Sequence, residues 1–214
     1  MCDYPRIMAT LPFSENKILR LADCATLSMG YSFRGRIETS PEGPICLIQM
    51  RDLTSDNFVD ARAAARIQDT GFGGHHYVSP GDLVFRARGM NNTAALAAEI
   101  PERAALASPL VRIRPRVEIV EPRYLQWFIN LPASQTFLAT GLQGSLVRMV
   151  SVEHLAGLKV IVPPLPTQRL IGEVVALYER EAALLRRIAE LRQNQGRSLL
   201  VQKVLSVDRR IYGE

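Results

Sequence analysis

Lysine is nearly missing from this chain of 214 residues: Lys17, Lys159 and Lys203 are the only three, so 23 of the 26 basic residues are arginine. Arginine presents a planar fork that can grip guanine or phosphate through two parallel hydrogen bonds, where lysine offers a point charge. A genome rich in G and C produces the same bias, so composition alone does not separate the two causes. Cysteine is sparse as well. Cys2, Cys24 and Cys46 are odd in number, far apart and without a CxxC or Cys/His cluster, which excludes a disulfide framework and a structural zinc and leaves reduced thiols. Long apolar runs are absent, so no membrane span is expected, and residues 1–14, broken by Asp3, Pro5 and Pro12, lack the apolar core of a secretory signal. A cytoplasmic location is the expectation. The formal charge of +5 and a pI near 9.4 allow a polyanionic partner without requiring one.

Recognisable catalytic constellations are also lacking. An amino-group methyltransferase needs an Asn/Asp-Pro-Pro-aromatic loop, and the sole Pro-Pro here, Pro163-Pro164, is flanked by Val162 and Leu165. Gly71-Phe72-Gly73-Gly74 has neither the preceding strand nor the following helix of a dinucleotide loop and reads as a flexible turn. The neighbouring His75-His76 has no HExxH spacing or carboxylate arrangement beside it, and adjacent histidine rings are expected to point apart, which favours a structural or DNA-contacting role. Asp82 has no acid and lysine pair nearby to hold magnesium and reads as a turn stabiliser; His154 reads as a surface residue.

What is present is an ordered succession of structural signals. Ile45 to Met50 and Leu83 to Ala87 read as buried strands, the second delivered by the turn Ser79-Pro80-Gly81-Asp82. Thr93 to Ile100 and Leu110 to Ile113 are further strand candidates, while Ala61 to Ile67 suits either a strand or a short helix and stays unassigned. Pro122 and Pro132 mark two short helices joined near Asn130. Ser151 should cap a short helix, Leu158 to Val162 is a β-branched run stopped by Pro163-Pro164, and Thr167 should cap a long helix to about Leu205. That helix, roughly 58 Å at about 1.5 Å per residue, carries Leu170, Val174, Leu177, Leu184, Ile188 and Leu191 on one side, with Ile171, Tyr178 and Leu185 on a flank. Glu181 and Gln195 interrupt the stripe, and a break is expected at Gly196. The helix either seeks a partner helix or folds back on its own domain.

The loops between these elements carry side chains suited to base and phosphate contact: Ser32, Arg34 and Arg36; Gln49 and Arg51; His75 and His76; Arg86 and Arg88; Asn91 and Asn92; Gln143, Ser145 and Arg148. Arginine matches guanine O6/N7, asparagine and glutamine match adenine N6/N7, and serine suits phosphate.

Gly144-Ser145, Ser151-x-x-x-Leu155-x-x-Leu158 and the strand ending in Pro163-Pro164-Leu165-Pro166-Thr167-Gln168, then Ile171, resemble the end of a target-recognition domain joined to a spacer helix in the specificity (S) subunits of type I restriction-modification enzymes. Leu21-Ala22-Asp23 through Gly30 with Ser32-Phe33, and Gly81-Asp82-Leu83-Val84-Phe85 with Gly89, match the start and middle of the same domain, so the resemblance runs from residue 15 to 205. It implies an α/β body of mixed-sheet (α+β) type followed by a long coiled-coil helix. The expected division is an arm (1–14), a recognition domain (15–166), a spacer and dimerisation helix (167–205) and a tail (206–214). It further implies a non-catalytic reader of double-stranded DNA with no cofactor of its own, directing a methyltransferase subunit, which brings S-adenosylmethionine, and an ATP-driven restriction subunit to a bipartite target. Family members with two recognition domains pair two long helices within one chain. This chain has one of each, which leads to the expectation of a homodimer through the helix, or of pairing with a different S chain. The rival reading is a scaffold protein that works through its helix without specific DNA binding.

Overall fold

The computed structural model describes residues 16–69, 71–89, 91–143 and 148–211, with side chains except for Gln143 and residues 205–211. It divides into two compact units, residues 1–172 and 173–214. Within the first, the elements follow the order β1 (Lys17–Arg20), α1 (Leu21–Cys24), β2 (Ala25–Met29), β3 (Ile45–Ile48), β4 (Ala65–Ile67), β5 (Tyr77–Val78), β6 (Leu83–Arg86), β7 (Ala94–Leu96), β8 (Ala104–Leu106) and β9 (Leu110–Pro115). Then come α2 (Pro122–Asn130), α3 (Pro132–Thr140), β10 (Leu142–Gln143), β11 (Met149–Val150), α4 (Val152–Ala156) and β12 (Lys159–Val162). The last helix, α5, runs over Leu165–Ile211.

Two four-stranded sheets form the frame, one in the order β2-β9-β6-β7 and wholly antiparallel, the other β4-β3-β8-β5 with a parallel β3–β8 pair. Because successive strand residues face opposite sides, β6 sends Leu83 and Phe85 into a core shared with α2, α3 and α4, and Val84 into a second core between the sheets. Strand β3 likewise divides Cys46 and Ile48 from Ile45 and Leu47, the latter pair facing a third core covered by Phe33, Ile37, Phe72 and Tyr77. Both strands are therefore covered on both faces, which is why they read as unbroken apolar runs rather than alternating ones. The cysteines in this frame, Cys24 and Cys46, are buried free thiols, and burial pushes Cys24 up to about 11.

Several local expectations are met. Ser151 Oγ accepts from the His154 amide at 3.1 Å, and Asp82 accepts from the Ser79 amide at 2.8 Å in the predicted turn. Two helices meet at Leu131, between α2 and α3. Others are corrected. The strand expected over Thr93 to Ile100 is limited to Ala94–Leu96, residues Ala65–Ile67 are strand, and Ala104–Leu106 forms a strand unforeseen because two alanines and a leucine carry too little β signal. Helix α5 starts at Leu165, two residues before Thr167; Pro166 is tolerated in the first turn, where its missing N–H costs nothing. Its start is secured by buried Gln168, which donates to the carbonyls of Ile119 (3.0 Å) and Pro163 (2.7 Å) and accepts from the Glu121 amide (2.8 Å). No break occurs at Gly196, where the helix continues. Ile171 packs against the first core, and so belongs to the body rather than to a free flank. His154 is half-buried, not a surface group: its ring stacks on Phe137 at 4.6 Å, over Gly141, where any Cβ would collide with the imidazole.

Candidate nucleic-acid interface

Strand registers bring the candidate loops to one end of the two sheets. Met29, last in β2, pairs with Val111 at the start of β9, and Arg86, last in β6, pairs with Leu110. Strand β7 begins opposite Phe85. In the other sheet Ile48 and Leu106, the ends of β3 and β8, are partners, and Tyr77, which opens β5, faces Ala105. The link from β8 to β9 crosses at this same end, where Tyr31 pairs with Ala107. Gly30 permits that crossing, since a Cβ there would lie 2.6 Å from the Ala107 carbonyl carbon. The segments 30–36, 49–52, 74–76 and 87–93 consequently leave from one place. Arg148 joins them through Gly89 N to Arg148 O (3.3 Å) and Val150 N to Ala87 O (2.8 Å), with Arg88 bridging Met149.

The candidates differ in what their side chains already touch. Ser32, Arg34, Arg36, Arg51, His75, Arg88, Asn91 and Arg148 are exposed, and Gln49 is half-buried. Among the described residues, Arg34, Arg36, Arg88 and Arg148 make no ion pair, and Arg51 has only a loose one at 3.8 Å to Asp52. Asn92 is different: it is buried, and its amide donates to the Arg86 carbonyl at 2.9 Å, so it braces the hairpin and cannot reach a base edge. The Gln143 side chain and Ser145 lie outside the described residues.

Arg86 is half-buried and already engaged. Nη1 donates to Asn57 Oδ1 (3.1 Å) and Thr93 Oγ1 (2.7 Å), and Nη2 donates to the Thr54 carbonyl (2.7 Å). It lines a cleft of about 380 Å³ between the 50–57 segment and the 86–93 hairpin, together with Arg88, Gly89 and Asn91. Burial lowers its affinity for its proton. Asn57, which shapes this cleft, is the one non-glycine residue of positive φ (59°) among those described. The sequence signal for it is that asparagine, here following Thr54-Ser55-Asp56, is a residue that tolerates the left-handed region.

The histidines form a second group. Their rings stand 3.9 Å apart, within the 3₁₀ turn Gly74–His76, rather than pointing away from each other. His76 sits edge-on to Tyr31 (5.4 Å) and near Phe72 (6.4 Å), with Nδ1 3.2 Å from the Met29 carbonyl. Burial, then the neighbouring His75, hold its pKa below the usual histidine value. It packs the base of the loop, while exposed His75 is held by Ser28 Oγ donating to its carbonyl at 2.8 Å.

This fold occurs in type I restriction-modification proteins. The chain matches the HsdS subunit from Thermoanaerobacter tengcongensis with a TM-score of 0.61 at 19% identity, covering 86% of this chain and 42% of that one. A chain from a structure addressing complex assembly and conformational transition of the type I R-M system gives 0.62 at 20% identity, over 86% and 43%. The type I restriction-modification S subunit from M. genitalium gives 0.56 at 10% identity, over 85% and 44%. This chain thus spans less than half the length of the proteins it matches. No family model and no curated protein matches it. At these identities the likeness establishes the fold: a mixed α/β body with a long C-terminal helix, as in S subunits.

Proposed function

We propose that the chain is a sequence-specific DNA-recognition subunit of a type I restriction-modification system, non-catalytic, with residues 15–166 as reader and 167–205 as pairing helix. The observation that supports this most is the gathering of Arg34, Arg36, Arg88 and Arg148, which make no ion pair among the described residues, at one end of a fold shared with S subunits. Exposed cations without acids are suited to phosphate, and asparagine and glutamine beside them to base edges. Chemistry on the DNA falls to a methyltransferase subunit and a restriction subunit. Among the described residues no group of three His, Cys, Asp or Glu could hold a metal, and no helix is long and apolar enough to cross a membrane.

The apolar stripe of α5 supports a homodimer. Val174, Leu177, Tyr178, Leu184, Leu185, Ile188 and Leu191 are 40–68% exposed, as is Leu170 at 50%, a row that water disfavours and a partner helix would cover. Two-fold pairing would present two identical readers to an interrupted palindrome. The deciding measurement is retention of duplex DNA by the full chain as salt is raised: a steep fall is expected, and absence of retention at low salt would leave the helix as the working part of a scaffold. Light scattering at micromolar concentration should give a dimer, and Leu184→Asp should give a monomer. A monomeric wild-type chain, even with the methyltransferase subunit present, would sink the dimer.

A further inference from the structure

Arg86 spends three of its five N–H donors inside the protein. Both Nη1 hydrogens are used and one of Nη2, which leaves Nε–H and the second Nη2–H without a protein acceptor among the described residues. These two belong to adjacent nitrogens and can project from one edge of the planar fork toward two acceptors. The residues lining the cleft include no carboxylate, and burial lowers the affinity of Arg86 for its proton. A half-buried cation with a free pair of donors and no anion beside it is a site awaiting acceptors.

Its aim is set by others. Asn57 is held in the left-handed region by its own carbonyl, which accepts from the Leu96 amide (2.9 Å) and Gln126 Nε2 (2.7 Å). From there its Oδ1 fixes Nη1, while Thr93 Oγ1 and the Thr54 carbonyl fix the rest of the guanidinium. A flexible surface arginine serves phosphate; a guanidinium locked at three points within a cleft serves one orientation of a planar pair of acceptors. Resting on the reading that this end binds DNA, we infer that Arg86 is a pre-organised guanine reader, contacting O6 and N7 of one base, with Asn57, Thr54 and Thr93 as its positioning residues.

The test is selection of duplexes from a sequence-randomised DNA pool by the full chain, followed by sequencing. Wild type should enrich a consensus with an obligate guanine at one position, and Arg86→Gln should lose that guanine and keep the other positions. Replacing that base by 7-deazaguanine, which lacks N7, should weaken wild type ~10- to 100-fold and leave Arg86→Gln unmoved. Asn57→Gly, which keeps the backbone conformation and its bonds but removes Oδ1, should blur the same position; Asn57→Asp, which pairs with the guanidinium, should abolish the preference and carries the test if Arg86→Gln does not fold. An unchanged consensus in the Arg86 and Asn57 variants, or equal weakening on all sequences as a phosphate contact would give, overturns the assignment of Arg86 alone. Failure of wild type to retain any DNA overturns the parent reading instead.

Discussion

At one end of the paired sheets Arg103 is held by Asp69 at 2.6 Å and Arg114 by Asp82 at 2.7 Å, whereas at the other end Arg34, Arg36, Arg88 and Arg148 have no acid within salt-bridge reach among the described residues. The paired end is architectural. Asp82 is almost wholly buried, receives Arg114 Nε and Nη2 at 2.7 Å each and also accepts from the Ser79 amide, so it ties the 79–82 turn to β9. The other end keeps its charge in solvent, where it contributes little to stability and much to attracting a polyanion. The same residue type stands in two settings, and the difference lies in whether a carboxylate stands opposite.

The largest effect that would break this contrast is on binding. Replacing Arg34, Arg36, Arg88 and Arg148 together by alanine should lower the slope of log affinity against log salt by up to about four, roughly one for each phosphate that is no longer neutralised. Retention measured across a salt series would show it, and an unchanged slope would mean that this end does not face DNA. Next comes stability: Arg114→Ala strands the buried Asp82 carboxylate and should cost on the order of 2–3 kcal/mol, less than for a fully buried pair because the arginine is partly exposed. Urea unfolding reads this, and the salt slope of DNA binding should stay as in wild type. Smaller still is Arg51→Ala, whose loose contact with Asp52 is worth about 0–1 kcal/mol; the unfolding midpoint should hardly move while the salt slope falls by about one.

The histidine group sharpens the contrast through pH. The His76 pKa is lower in the folded chain than its usual 6.5, so the unfolded chain binds the proton more readily. Its stability contribution is therefore complete above pH ~6.5 and is lost as pH falls through the folded pKa. Denaturant midpoints of wild type should drop across that interval, and His76→Gln should flatten this part of the profile. An identical profile in the variant would show that the titration is felt elsewhere.

Much of the fold was legible residue by residue. The Ser151 cap, the proline-marked helices α2 and α3, and the apolar runs of β3 and β6 are local signals, each read within a few residues of where it acts. The short strand β8 escaped because alanine has no preference strong enough to announce it, and the early start of α5 escaped because it depends on Gln168 reaching Ile119 across 49 positions. At the candidate interface residue types were legible, but commitments were not: Asn92 looked like a base reader and is a buried brace. Away from it, His154 looked exposed and is stacked.

By itself the sequence determined the chemistry on offer: arginine in place of lysine, small polar loops, no clustered metal ligands, and an apolar stripe along one helix. Those follow from side-chain identity and from the spacing of neighbours. Only the tertiary structure decided which arginines remain free and which are bound. Arg114 meets Asp82, and Arg86 meets Thr54, each over 32 positions of chain. Such meetings depend on sheet register and on the packing of one sheet over another, and a shift of one residue in register would send every side chain of a strand to the opposite face.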